Sequence, residues 1–206
     1  MELDNIAVRC PDCGLKFMTR QVREFVDTGL RNSELRQHVY DVTPCYEPYA
    51  IATCPSCGRA DWAQSFERTM EDCALFQARS TPHLQYRAAA MRAERKDLNF
   101  WEAGIFYLYA AWCADDGGAV PQAREYRRAA LEMLAKALYD VSCPVDSRVD
   151  VEYLIGELYR RIGMFDACRN HFAGVISHLP SSYAIMARKL MKLAENGQTD
   201  LIPFES

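Results

Sequence analysis

Val151-Glu152-Tyr153-Leu154-Ile155-Gly156-Glu157-Leu158-Tyr159-Arg160-Arg161-Ile162-Gly163 decides the architecture of the larger part of this chain. Val151, Leu154, Ile155, Leu158 and Ile162 recur at spacings of one, three and four, which puts them on one face of a helix, and Gly163 marks its end. Phe165, Cys168, Phe172, Val175 and Leu179 then repeat the pattern up to the break at Leu179-Pro180-Ser181-Ser182. Ala187, Leu190 and Leu193 make a last helix over 183–195. Toward the N-terminus, Trp101, Ile105, Leu108 and Trp112 form one stripe and Tyr126, Ala130, Met133 and Ala137 another. Asp115-Asp116-Gly117-Gly118 separates these two. Ser80-Thr81-Pro82 starts a further helix running to about Lys96. Short connections between successive helices imply antiparallel neighbours.

Upstream of residue 67 the chain changes character. Residues 1–66 hold five of the nine cysteines and four of the nine prolines. Ala7–Arg9, Leu15–Met18 and Tyr49–Thr53 read as short strands, and Arg20–Gln37 as an arm, a hairpin or a short helix. Cys10-Pro11-Asp12-Cys13-Gly14 and Cys54-Pro55-Ser56-Cys57-Gly58 are one motif written twice. Two residues between cysteines let both thiolates hold one tetrahedral ion. The glycine permits the left-handed turn around sulfur, and the proline presets φ for it. Cys10, Cys13, Cys54 and Cys57 are therefore the expected ligands of one structural zinc, whose closed four-thiolate sphere leaves no position for water or substrate. Forty residues lie between the two pairs, so this insert must fold back on itself. Cys45, within it, is expected as a packed or loop thiol.

The chain has 206 residues, 50% hydrophobic and 25% charged, with a net charge of −4, which excludes a disordered polymer. Nine cysteines, an odd count, argue against a disulfide framework. No signal peptide and no apolar run near the roughly 20 residues of a membrane span are apparent, so a soluble, cytoplasmic protein is expected. Residues 1–66 carry seven Lys/Arg against nine Asp/Glu. Arg20, Arg23, Arg31 and Arg36 are interleaved with Glu24, Asp27 and Glu34, which suits a solvated mixed-charge surface better than a nucleic-acid contact. Trp101 and Trp112 read as core, His83 as a first-turn helix residue, and His171 and His178 as ordinary helix residues. There is no phosphate loop, dinucleotide fingerprint or nucleophile motif.

Residues 149–182 resemble a tetratricopeptide repeat, a helix-turn-helix unit of 34 residues. Gly156 and Tyr159 sit at its small and aromatic first-helix positions and Gly163 at its turn. Cys168 and Phe172 occupy its second-helix apolar positions, and Pro180 closes it. Residues 101–138 look like a degenerate copy, with Ala110 and Ala111 at the close contact and Ala123 and Ala130 on the second helix. Taken whole, the chain resembles the bacterial domain-of-unknown-function 2225 family. The likeness rests on the two knuckles, the Asp-x-x-Pro-Cys-Tyr segment before the second, and the repeat-like helices after Ala-Trp. It implies a zinc-binding N-terminal half fused to tetratricopeptide-like helices, with no established activity. By the same resemblance, partners would lie along Tyr153, Glu157, Arg160 and Arg161. An aromatic with two arginines there suits an acidic or carboxylate-bearing peptide, and a solvated face with a Glu157–Arg161 pair is the alternative.

The expected fold is thus α+β, mostly α: a zinc-ribbon-like β module over 1–66, then an antiparallel, tetratricopeptide-like array over 67–206. The expected function is a non-enzymatic zinc-binding adaptor that binds a protein, a peptide or a copy of itself. The alternatives are a nucleic-acid-binding or regulatory zinc ribbon, and a thiol switch that releases zinc on oxidation.

Overall fold

In the computed structural model, residues 1–37, 45–71, 73–78 and 80–204 are described. His38, and Asp41 and Pro44 of the Asp-x-x-Pro-Cys-Tyr segment, lie outside them. The β module opens with strands β1 (Glu2–Arg9) and β2 (Lys16–Glu24), paired antiparallel so that Val8 faces Phe17 and Ile6 faces Thr19. A short β5 (Glu67–Arg68) lies on the other side of β1. A second hairpin joins β3 (Ile51–Thr53) to β4 (Ala60–Trp62). Tyr49 and Ala50, expected in the strand, instead belong to a one-turn helix α1 (Glu47–Ala50), because Pro48 presets helical φ in its first turn. Arg20–Gln37 contains no helix, and an antiparallel bridge joins Arg31 to Gln37 within it. β2 runs on to Glu24, a turn follows at Asp27–Gly29, and a tight Asn32–Arg36 loop closes with Leu35 at φ 59°.

Helix α2 (Pro82–Arg92) starts at Thr81 with proline in its first turn. Its expected last turn, to Lys96, widens into a π-turn over Ala93–Asp97, ended by Leu98 at φ 51°. Next come α3 (Phe100–Asp116), α4 (Val120–Tyr139), α5 (Arg148–Arg161), α6 (Phe165–Val175) and α7 (Ser181–Glu195). Each packs on the next, and α7 also returns to α5. The Asn99 side chain caps α3 by accepting the Glu102 N–H at 3.0 Å. Two of the helix crossings are closed by glycine. A Cβ on Gly156 of α5 would lie 2.3 Å from Phe172 Cζ of α6, and one on Gly104 of α3 would lie 2.6 Å from Leu134 Cδ2 of α4. Ala110, Ala111, Ala123 and Ala130 are buried as expected, and Gly104 lets α3 and α4 approach closely at a further point.

Two cores meet at the β3–β4 hairpin. Side chains alternate along a strand. Ala52 joins Val8, Phe17, Ala63 and Phe66 in a small core beneath the knuckles, while Ile51 and Ala60 join the large helical core. Trp62, cross-strand from Ile51, lays its ring against Phe106 at 4.7 Å, Tyr109 at 5.3 Å and Tyr86 at 5.9 Å. The module also runs past residue 66. Beyond β5, the Leu75 carbonyl accepts the Met18 N–H at 2.6 Å, and the Gln77 N–H donates to the Met18 carbonyl at 2.8 Å. No helix among the described residues is long and apolar enough to cross a membrane.

Candidate metal centre

The two knuckles are built alike. In the first, the Cys10 N–H donates to the Leu15 carbonyl at 2.8 Å and the Gly14 N–H to the Cys10 carbonyl at 2.8 Å. In the second, the Cys54 N–H donates to Arg59 at 2.8 Å and the Gly58 N–H to Cys54 at 3.1 Å. Both Gly14 and Gly58 sit at φ 72°, a left-handed backbone that a Cβ would strain. β1 and β2 flank the first turn and β3 and β4 the second, so the small core between the hairpins brings the turns face to face.

The result is a cluster of Cys10, Cys13, Cys54 and Cys57, whose sulfurs all lie within 4.8 Å of one another. Cys10 Sγ is 3.6 Å from Cys57 Sγ, and Cys13 Sγ is 3.7 Å from Cys54 Sγ. A tetrahedral ion with metal–sulfur bonds of about 2.3 Å needs sulfur–sulfur edges of about 3.8 Å, so the four thiolates fit one such ion. Cys10 and Cys54 are buried, and Cys13 and Cys57 are exposed. Backbone N–H groups of Asp12 and Cys13 point at Cys10 Sγ, and those of Ser56 and Cys57 at Cys54 Sγ. The Leu15 and Arg59 N–H groups serve Cys13 and Cys57 in the same way. Burial pushes the Cys10, Cys54 and Cys57 thiols up, whereas the Leu15 N–H helps bring Cys13 down to about 7. The remaining five cysteines stand outside the cluster, and Cys113, Cys143 and Cys168 are buried.

Around the sulfurs runs a ring of charge that the sequence did not announce. Asp12, inside the first knuckle, accepts Arg59 Nη1 at 2.5 Å on one oxygen and Arg92 Nη1 at 2.7 Å on the other, with Lys96 Nζ at 3.4 Å. Arg59 also donates to Asp61 at 2.6 Å and lies over the Phe66 ring at 5.9 Å. Burial acts to raise the Asp12 carboxyl, but Arg59 and Arg92 outweigh it and hold it below the usual carboxylate range. Arg92 and Lys96 belong to α2 and its π-turn, so the knuckle is tied directly to the helical half.

The stripe Tyr153, Glu157, Arg160 and Arg161 differs most from expectation. The chain covers it with its own segments, and Tyr153, Glu157 and Arg160 are fully buried. Tyr153 Oη donates to the Ser33 carbonyl at 3.0 Å, and Ser33 Oγ donates to Glu157 at 2.7 Å. Glu157 pairs with Arg160, Nη2 to Oε1 at 2.6 Å, rather than with Arg161. Burial pushes its carboxyl up to about 7 even against that guanidinium. Arg161 reaches Glu34 at 3.0 Å. Glu34 is the hub of this arm. It accepts Arg127 Nε at 2.5 Å and Nη2 at 2.9 Å, and Trp112 Nε1 at 2.8 Å. Its burial is outweighed by Arg127, Arg161 and Trp112, which hold it at about 2.

Asp115 and Asp116, at the C-terminal end of α3, pair with Arg127 at 2.6 Å and Arg36 at 2.7 Å. Among the arginines of the arm, Arg36 also meets Glu47 at 2.7 Å, Arg31 meets Asp27 at 2.6 Å, and Arg23 meets Asp4 at 3.2 Å. His171 binds the Glu152 carbonyl at 2.7 Å, and His178 the Glu152 carboxylate at 2.9 Å. Among the described residues, the four cysteines are the single group of metal-ligating side chains placed to share an ion.

A family model described as "Uncharacterized protein conserved in bacteria (DUF2225)" matches residues 76–198. No curated protein and no solved structure matches the chain. The match starts at Phe76, beyond both knuckles, so it rests on the helical half and leaves the cysteine cluster to its own geometry. Because it spans more than half of the 206 residues, the chain belongs to the bacterial DUF2225 family of uncharacterised proteins.

Proposed function

We propose that Cys10, Cys13, Cys54 and Cys57 hold one structural Zn²⁺, and that the protein is a non-enzymatic scaffold. In this reading the zinc ribbon is fixed to a tetratricopeptide-like helical array that engages a protein or peptide partner. The observation that carries it is the doubled knuckle, with sulfur–sulfur edges of 3.6 and 3.7 Å and a left-handed glycine closing each turn. Thiolates are soft ligands that suit zinc, and four of them close its coordination sphere. Such an ion organises backbone instead of activating water. Among the described residues the small core beneath it has seven buried residues, two of them ligands, so metal binding would supply much of the folding energy of the β module.

For the helical half, support comes from α5 and α6. The glycine-to-phenylalanine crossing at Gly156 and Phe172, the turn at Gly163 and the buried Cys168 follow the repeat's small-and-aromatic packing. The nucleic-acid reading draws less support, since Arg23, Arg31 and Arg36 each face a carboxylate.

Hydrogen exchange with and without a strong chelator tests the zinc reading. Metal removal is expected to abolish protection in β1, β2, β3 and β4 while α3–α7 stay protected. Unchanged protection in the four strands would refute a structural ion.

A further inference from the structure

Residues 198–204 lie as an extended strap along α5, and its chemistry is that of a bound peptide. Arg160 Nη1 donates to the Gln198 carbonyl and Nη2 to the Asp200 carbonyl, each at 2.8 Å, and Arg161 donates to the carbonyl of Thr199. Three successive carbonyls are thus held without regard to the side chains that carry them. The strap then meets the Asn32–Arg36 loop in strand fashion, through one isolated antiparallel bridge between Asn32 and Pro203. The Ser33 N–H donates to the Ile202 carbonyl at 2.7 Å, and the Phe204 N–H to the Arg31 carbonyl at 2.8 Å. Ile202 and Phe204 turn inward, while Leu201 and Pro203 stay exposed. The Phe204 ring sits in a corner between Tyr183 at 5.3 Å and Tyr153 at 5.6 Å.

We infer that this groove, walled by Tyr153, Arg160 and Tyr183 and by the edge of the Ser33 loop, is a docking site for an extended peptide. The peptide carries an aliphatic residue two positions before an aromatic one, and residues 198–204 hold the groove shut in cis. Strand addition supplies sequence-independent affinity, and the aromatic corner supplies selection. The strap's exposure and its few inward side chains make it displaceable, while its tether gives it a high effective concentration against any competitor. This inference rests on the scaffold reading and adds to it the class of partner and the means of control.

A fluorescently labelled synthetic peptide of residues 198–206 tests it by anisotropy, against the full chain and against a chain ending at Gly197. The shortened chain is expected to bind at least ten-fold more tightly than the full chain, and Phe204→Ala in the peptide to cost ten-fold or more. Equal binding by both chains, or no saturable binding by a shortened chain of unchanged helicity, overturns the inference. Should the shortened chain fail to fold, full-length Phe204→Ala takes its place. It is expected to bind the unsubstituted peptide more tightly than the wild-type chain does, and no gain overturns the inference. Zinc content of the same samples reports separately on the scaffold reading, so a failed peptide site with the metal retained sinks only the groove.

Discussion

Glu34→Gln should cost the protein about 3 kcal/mol while leaving the cysteine cluster untouched. The carboxylate is fully buried and receives donors from Arg127, Arg161 and Trp112, all on helices α3–α5, although it belongs to the N-terminal arm. Removing one member of a buried ion pair typically costs about 3–5 kcal/mol, because the partner's charge is stranded away from water. The low end applies here, since Asp115 stays 2.6 Å from Arg127 and 3.7 Å from Arg161 and takes up part of their charge. Urea unfolding followed by far-ultraviolet circular dichroism reads the loss as a lower midpoint with an unchanged slope. The metal content of the variant should equal that of the wild type. A loss under about 1 kcal/mol would refute the claim that this carboxylate fastens the arm to the helices, because that is the range of an exposed pair.

Other consequences follow from the same contacts. Glu34 is held at about 2, below its ordinary value of 4.5, so its stabilisation is present above that value and drains away as pH falls toward 2. Acid titration of stability should therefore be shallower in Glu34→Gln than in the wild type between pH 4.5 and about 2, and parallel curves would contradict the assignment. Gly156→Ala drives a methyl to within 2.3 Å of the buried Phe172 ring, an overpacking of about 1–3 kcal/mol that outweighs the helix-propensity gain of up to about 1 kcal/mol. The exposed Gly174 of α6 has nothing within 4 Å of a new Cβ, so Gly174→Ala should raise the melting temperature where Gly156→Ala lowers it. Trp62→Ala removes the ring that joins β4 to Phe106 and Tyr109 and should cost about 3 kcal/mol with the metal retained, as read by urea unfolding and metal analysis.

Much of this was legible in the residues because it is periodic or local. The helices declared themselves through apolar residues three and four apart, and the knuckles through four cysteines, two glycines and two prolines at fixed offsets. Each signal reports on partners within one turn. What stayed hidden depends on residues distant in sequence. Glu34 lies 78 positions from Trp112 and 127 from Arg161, in a loop without period, so nothing local marked it as the hub. The stripe at Tyr153, Glu157, Arg160 and Arg161 was legible as a polar helix face, but only the folded chain shows residues 31–36 and 198–204 lying on it. Asp12 was visible within its motif, yet its link to Arg92 spans 80 positions. Trp62 follows the second knuckle in sequence, and the alternation of the short β4 strand is what turns it into the helical core.

Native mass spectrometry of protein purified without added metal, for the wild-type chain and Cys54→Ser, tests the structural zinc most directly. The account predicts one zinc per wild-type chain, and in the variant loss of that zinc together with loss of the β module's protection from exchange. A wild-type chain without zinc, or a metal that survives removal of Cys54, would contradict it.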